Sequence, residues 1–291
     1  MRTKEEMFQL ILTIAEKDPR ILAVGMNGSR TNKNAPKDLF QDYDIVYIVE
    51  SVEVFRKDQS WLAEFGPRLI MQTPEDMVLF PPTKDGRFAY LMLFEDGNRI
   101  DLTLCPKEQA AYWNEGDLLA EILLDKNHLL PNLMEATDQN YWIKKPTQEE
   151  FSDCCNEFWW VSTYVVKGLC RNELFYAADH LHDNCQKELL RLLSWQVAGK
   201  HGYHFSVGKN YKYLPNYLTE EQYEQLVKTM NISSIFLAWS ALLSLQKQFD
   251  YYVRIVSQKN HFIYDQKTAE KVKLYTNNWF TKQSKLAFKE N

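Results

Sequence analysis

Residues 24–49, VGMNGSRTNKNAPKDLFQDYDIVYIV, decide how this chain is read. An apolar run, Ile21–Met26, reads as a strand leading into the segment. Asn27-Gly28-Ser29 makes a tight turn, and a polar loop runs from Arg30 to Gln41. YDIVYIV, residues 43–49, then reads as a buried strand, because it is dense in β-branched and aromatic residues. Asp42 and Asp44 stand two apart where that strand starts, so their side chains leave on the same face. Paired carboxylates repel one another until a cation sits between them. Mg2+ prefers hard oxygen ligands and commonly takes one or two carboxylates together with substrate phosphates. Asp42 and Asp44 are therefore a candidate metal pair. Upstream, Gly28 lets a phosphate approach the backbone, Ser29 adds a hydroxyl donor and Arg30 offers a guanidinium.

Working outward, a third carboxylate comes from a hairpin. Phe88–Phe94 and Arg99–Leu104 read as strands joined by Asp96-Gly97-Asn98, where Asp and Gly tolerate the positive φ that such turns need. In RIDLTL, Ile100, Leu102 and Leu104 alternate with Asp101 and Thr103. If this strand lies beside Tyr43–Val49, Asp42, Asp44 and Asp101 converge. Such a trio can hold two metals, one at an attacking oxygen and one at a leaving pyrophosphate.

The remaining N-terminal segments predict a helix over 4–16 opened by a Thr3/Glu6 capping box. A helix over 52–65, a short strand at Arg68–Met71, a loop at Thr73–Met77 and a helix over 107–125 follow. From Thr147 the chain is a series of helices. The first ends near Gly168 as a C-cap, the second spans Glu173–Ala198 and stops at Gly199, a third opens after Thr219, and a fourth covers Ser233–Ser257. The tail from Thr281 is expected to fray. The fold class expected is α+β: a mixed β-sheet flanked by helices over residues 1–145, and an all-helical bundle over 146–291.

The net charge is −5, which argues against a long polynucleotide partner and suits a cationic small molecule. Five cysteines, none spaced C-x-x-C, indicate reduced thiols rather than a disulfide framework or a zinc site. The N-terminus has no apolar core of a signal peptide, and no apolar run reaches the roughly 20 residues of a membrane span. The expected location is the cytoplasm, with no membrane partner.

The segment 24–49 resembles the Gly-Ser…Asp-x-Asp signature of the DNA polymerase β-like nucleotidyltransferase superfamily, with 12 residues between Ser29 and Asp42. NGSRTN, QDYDIVY, FEDGNRIDLTL, YWIKKPT, DCCNEFWWVSTYVVKGL and FSVGKNYKYL together are similar to the aminoglycoside 6-adenylyltransferases, also called streptomycin adenylyltransferases. The resemblance covers about residues 3–280, with no departure at the metal-ligand positions. It implies an N-terminal nucleotidyltransferase domain, ATP as co-substrate, Mg2+, and AMP transfer to the 6-hydroxyl of streptomycin, which inactivates the antibiotic. By that analogy Asp42, Asp44 and Asp101 bind metal and act in catalysis, with Asp101 also a candidate general base, while Gly28 and Ser29 hold the triphosphate.

Lys209 and Lys212, in the Gly-containing loop FSVGKNYK, are candidates to reach the nucleotide. A multiply cationic acceptor calls for carboxylates and aromatic faces. Asp179, His182 and Asp183 fall on one α-helical face, and Trp142, Trp159 and Trp160 are candidate stacking surfaces. Of these, Asp179, Asp183 and Trp142 are the candidate substrate-binding residues. Two other readings stand beside this one: the same chemistry on a protein or RNA acceptor, and a non-catalytic nucleotide-binding module. The intact Asp42, Asp44 and Asp101 argue against the last.

Overall fold

The apolar run 43–49 lies at the centre of a six-stranded sheet of order β3-β4-β5-β2-β1-β6. The strands are β1 (Ile21–Asn27), β2 (Tyr43–Val49), β3 (Arg68–Gln72), β4 (Phe88–Phe94), β5 (Arg99–Pro106) and β6 (Ala120–Asp125). The computed structural model describes residues 1–81 and 85–287. The chain divides into two compact units, Met1–Asn140 and Tyr141–Asn291.

In the first unit β2 pairs antiparallel with β1 and parallel with β5, which makes the sheet mixed. Strand alternation sends Tyr43, Ile45, Tyr47 and Val49 into the larger core, beside Met7 and Ile11 of helix α1 (Lys4–Lys17) and Phe55, Trp61 and Phe65. Val46 and Ile48 enter a smaller core on the other face, with Ala23, Cys105 and Trp113. A strand covered on both faces needs no polar alternation, which is why 43–49 reads as one apolar run. Asp44 has the parity of Val46 and Ile48, so it begins the smaller-core face at the end where the apolar residues stop.

The Thr3/Glu6 capping box forms as its spacing requires. The chain start is also pinned: Arg2 Nε donates to Asp96 Oδ2 at 2.7 Å. This guanidinium holds the Asp96 carboxyl well below its usual range.

Two N-terminal expectations are corrected. The stretch 107–125 is not a helix: a 3-10 turn spans Lys107–Tyr112, and β6 follows. Glu115 (φ 53°) and Gly116 (φ 78°) are left-handed and interrupt any helix. The apolar residues of 120–125 instead pair with β1, which would otherwise be an edge strand. The stretch 52–65 is also not one helix. Helix α2 (Val52–Lys57) stops where Asp58 turns extended, and the Asp58 carboxylate accepts from Ser60 N at 3.0 Å, a local bond that competes with helix continuation.

The second unit packs α3 (Gln148–Cys170), α4 (Leu174–His180), α5 (Lys187–His201), α6 (Glu220–Lys228), α7 (Ile235–Asn260) and α8 (Gln266–Ala287). Phe158 of α3 stacks on Phe249 of α7 with ring centroids 3.7 Å apart. Gly168 is not a C-cap. It lies inside α3, where a Cβ would come within 2.8 Å of the Tyr176 ring, so glycine there lets α4 approach. The expected single helix 173–198 is interrupted by a π-helical stretch, Leu181–Gln186, and α5 runs past Gly199 to Gly202 at φ 83°. The segment from Thr281 continues α8 through Ala287; residues beyond it lie outside those described. Among the described residues no helix is long and apolar enough to cross a membrane, and all five cysteines are free thiols.

Candidate active site at the strand ends

The register of the parallel pair puts Asp44 directly opposite Asp101, and the antiparallel register on the other side puts Asn27 opposite Asp44. Asp101 and Thr103 share a face with Asp44, while Ile100, Leu102 and Leu104 enter the larger core. Asp42 stands immediately before β2, so Asp44 and Asp101 face each other across the pair with Asp42 at the entry to the same strand. Burial first, and then the charges of Asp101 and Asp42, push the Asp44 carboxyl up to about 6. This is the electrostatic signature of concentrated, under-compensated negative charge.

Gly28 is required here twice over. Its φ is +78°, and a Cβ would sit 2.1 Å from Asp44 Oδ2. The turn Gly28–Arg30 is a short 3-10 segment, closed by Thr31 Oγ1 donating to Gly28 O at 2.9 Å. Gln41 Nε2 donates to Ser29 O at 3.2 Å and to Ser29 Oγ at 3.4 Å, tying the far end of the loop back to its start.

Arg30 is engaged by the loop it begins. Its Nε donates to Asp42 O at 2.9 Å and its Nη2 to Gln41 O at 2.6 Å, and the guanidinium lies 3.5 Å from the Tyr43 ring centroid. These contacts fix the backbone that carries Asp42. Two of the Arg30 donors thus go to main-chain carbonyls.

Two further residues, Arg99 and Asn27, border these carboxylates. Arg99 forks onto Asp101, with Nε–Oδ1 and Nη2–Oδ2 both 2.7 Å, and its Nη1 lies 3.7 Å from Asp42 Oδ2. The same i, i+2 rule that groups Asp42 with Asp44 puts Arg99 beside Asp101, so the signal was present in NRIDLTL. Asn27 carries a buried Oδ1 that has no hydrogen-bond partner among the described residues. A buried acceptor of this kind is an exception that calls for a ligand or an ion.

The donor set therefore suits a hard cation: carboxylate oxygens of Asp42, Asp44 and Asp101, an acceptor on Asn27, and no Cβ at Gly28. Among the described residues no group of three or more His, Cys, Asp or Glu side chains is arranged to hold a metal ion. Arg99 instead holds Asp101 through two 2.7 Å bonds.

The remaining candidates belong to the second unit. Lys209 and Lys212 are exposed and flank Asn210 (φ 55°) and Tyr211 (φ 61°), two successive left-handed residues. Lys212 Nζ lies 5.0 Å from the Tyr213 ring centroid. Asp179 and Asp183 are exposed, and Asp183 pairs with Lys187 at 2.9 Å. The π-helical stretch changes the angular step, so the α-helical spacing that grouped Asp179, His182 and Asp183 does not hold through it. His182 Nδ1 instead meets Gln186 Oε1 at 2.7 Å. Trp142 packs edge-on to His204 at 5.2 Å. Trp159 is buried and donates to Tyr264 OH at 3.1 Å, and Trp160 is exposed.

A family model described as "Streptomycin adenylyltransferase" matches residues 1–279. Three relatives carry the name "Aminoglycoside 6-adenylyltransferase". The one from Bacillus subtilis (strain 168) is 47% identical over 89% of this chain and 91% of its own length. The one from Campylobacter jejuni is 44% identical over 94% of this chain and 95% of its own. The one from Staphylococcus aureus is 41% identical over 91% of this chain and 94% of its own.

Proposed function

The chain belongs to the streptomycin adenylyltransferase family, and from that premise we propose that it transfers AMP from ATP to the 6-hydroxyl of streptomycin, releasing pyrophosphate and inactivating the antibiotic. The observation that supports the site most is the parallel register in which Asp44 faces Asp101 beside a glycine with no room for a Cβ. Asp42, Asp44 and Asp101 would hold Mg2+, which when bound supplies positive charge at the triphosphate and at the attacking oxygen.

Gly28 opens the backbone to the phosphates and the Ser29 hydroxyl donates to a phosphate oxygen. Arg30 fixes the Gln41–Asp42 carbonyls and so keeps Asp42 in register with Asp44. The acceptor oxygen bonds to the α-phosphorus in line with the bridging oxygen to the β-phosphorus. That second bond breaks as the first forms, and pyrophosphate leaves. The hydroxyl proton passes to the carboxylate of Asp101. Such transfer depends mainly on positioning and charge neutralisation. Lys209 and Lys212 supply charge to the nucleotide. Asp179 and Asp183 pair with the guanidinium groups of the acceptor, and Trp142 offers it an aromatic face.

The test is pyrophosphate release from labelled ATP with Mg2+ and a panel of streptomycin, other aminoglycosides, protein and tRNA. Release with streptomycin, and its loss in Asp42→Asn and Asp44→Asn, is expected. Release with tRNA but not streptomycin would overturn the acceptor; full activity in Asp44→Asn would overturn the mechanism.

A further inference from the structure

We infer that Arg99 is a built-in counter-cation that occupies the acidic site in the resting protein and competes with the divalent ion for it; this rests on the proposed metal role of Asp42, Asp44 and Asp101. Arg99 and Asp101 stand two apart on β5, so both side chains leave on the same face. The fork is bidentate, with two bonds of 2.7 Å, and the same guanidinium comes within 3.7 Å of Asp42. One cation thus spans the carboxylates that flank Asp44.

A guanidinium has five donors and no lone pair, so it can neutralise these carboxylates but never share a metal with them. Its positive charge also opposes a divalent ion arriving at the same oxygens. The two occupancies are therefore antagonistic. The Arg99 side chain is 43% exposed, so it can leave toward solvent without unpacking the sheet. In the metal-free protein the clamp offsets part of the repulsion among the carboxylates, and the ion displaces it.

The test is a direct Mn2+ titration, followed by electron paramagnetic resonance and without nucleotide. It compares the wild-type protein with Arg99→Gln, Arg99→Lys and Asp44→Asn. Arg99→Gln is expected to bind Mn2+ about tenfold more tightly, since one opposing charge is gone. Arg99→Lys, which keeps the charge without the fork, should fall between and guards against a folding defect in the glutamine variant. In EDTA, Arg99→Gln should melt below wild type, and saturating Mn2+ should close that gap. Equal or weaker Mn2+ binding by Arg99→Gln, with wild-type binding intact, overturns this inference alone. No binding by wild type, or binding undiminished in Asp44→Asn, overturns the metal role and this inference with it.

Discussion

Asp44 in the first unit and Asp250 in the second are both half-buried carboxylates, and they titrate in opposite directions. Burial and the charges of Asp101 and Asp42 push Asp44 up to about 6. Burial acts on Asp250 in the same sense, but hydrogen bonds from Lys273 and Arg254 outweigh it and hold that carboxyl below its usual range. Lys273 Nζ lies 2.8 Å from Asp250 Oδ2, and Tyr264 OH donates to Asp250 Oδ1 at 3.1 Å. Buried Gln246 in the helical unit is likewise paired: its Nε2 donates to Ser162 Oγ at 3.2 Å and Thr276 Oγ1 at 3.0 Å. Matched charge of this kind holds helices together. Charge gathered at strand ends with incomplete compensation costs stability, and persists where a ligand is to complete it.

Removing the carboxylate at the strand end should have the largest effect, and in two opposed directions. Asp44→Asn should reduce pyrophosphate release by about 10³-fold. The same substitution should raise the melting midpoint of the metal-free protein, because a carboxylate that costs on the order of 1–3 kcal/mol at neutral pH is gone. A variant that melts lower than wild type in EDTA would erase the contrast with Asp250. Gly28→Ala should lose activity as well, but with a stability loss of about 1–3 kcal/mol, since alanine must adopt a left-handed backbone while crowding Asp44.

Asp250→Asn should behave in the opposite sense to Asp44→Asn. It removes the acceptor charge from Lys273 and Arg254, both of which are partly exposed, so the loss in denaturant unfolding should be about 1–3 kcal/mol rather than the larger cost of a fully buried pair. Turnover of the protein that remains folded should not change.

The pH dependence of stability separates the two carboxylates without any change in sequence. The folded-state value of Asp44 is about 6 against an ordinary 3.8. The folded protein therefore holds this proton more tightly than the unfolded chain. Its favourable contribution is fully present below 3.8 and is lost as pH rises through 6. Asp250 is lowered, so its contribution is present above the ordinary carboxyl value and is lost as pH falls through the depressed folded one. Denaturant midpoints in EDTA should decline between pH 4 and pH 6 in wild type, and this decline should flatten in Asp44→Asn. An unchanged slope in Asp44→Asn would assign the titration to another group.

Much of the acidic site was legible because strand alternation is a strict rule. Asp44 and Asp101 share a face by parity once β2 and β5 are paired, and Arg99 obeys the same parity. Loop contacts do not follow from parity. Arg30 reads as a phosphate ligand, and parity gives no hint that its Nε and Nη2 also hold Asp42 O and Gln41 O where the chain returns after the loop. Strand β6 was misread because AEILLD has no alternation and a helix-tolerant composition; only pairing with β1 makes it a strand. The π-helical stretch 181–186 has no sequence marker, and Gly168 and Gly199, inside their helices, mimic caps.

The smallest stability effect, and the sharpest question about the helical unit, concerns Asp179 and Asp183. Both are exposed, and Asp183 is paired with Lys187 across one turn at 2.9 Å. Surface pairs of this kind contribute little, so Asp183→Asn should shift stability by no more than about 0.5 kcal/mol. Asp179→Asn should be equally silent in unfolding. Their proposed role is to receive guanidinium groups, and a charged hydrogen bond to a ligand is worth enough to raise KM for streptomycin by up to about tenfold. KM for ATP should stay as it is, because neither residue is assigned to the nucleotide. If the double variant Asp179→Asn/Asp183→Asn left KM for both substrates unchanged, these carboxylates would be ordinary solvated charges. Recognition of the acceptor would then have to come from other residues, while the strand-end carboxylates would keep their role.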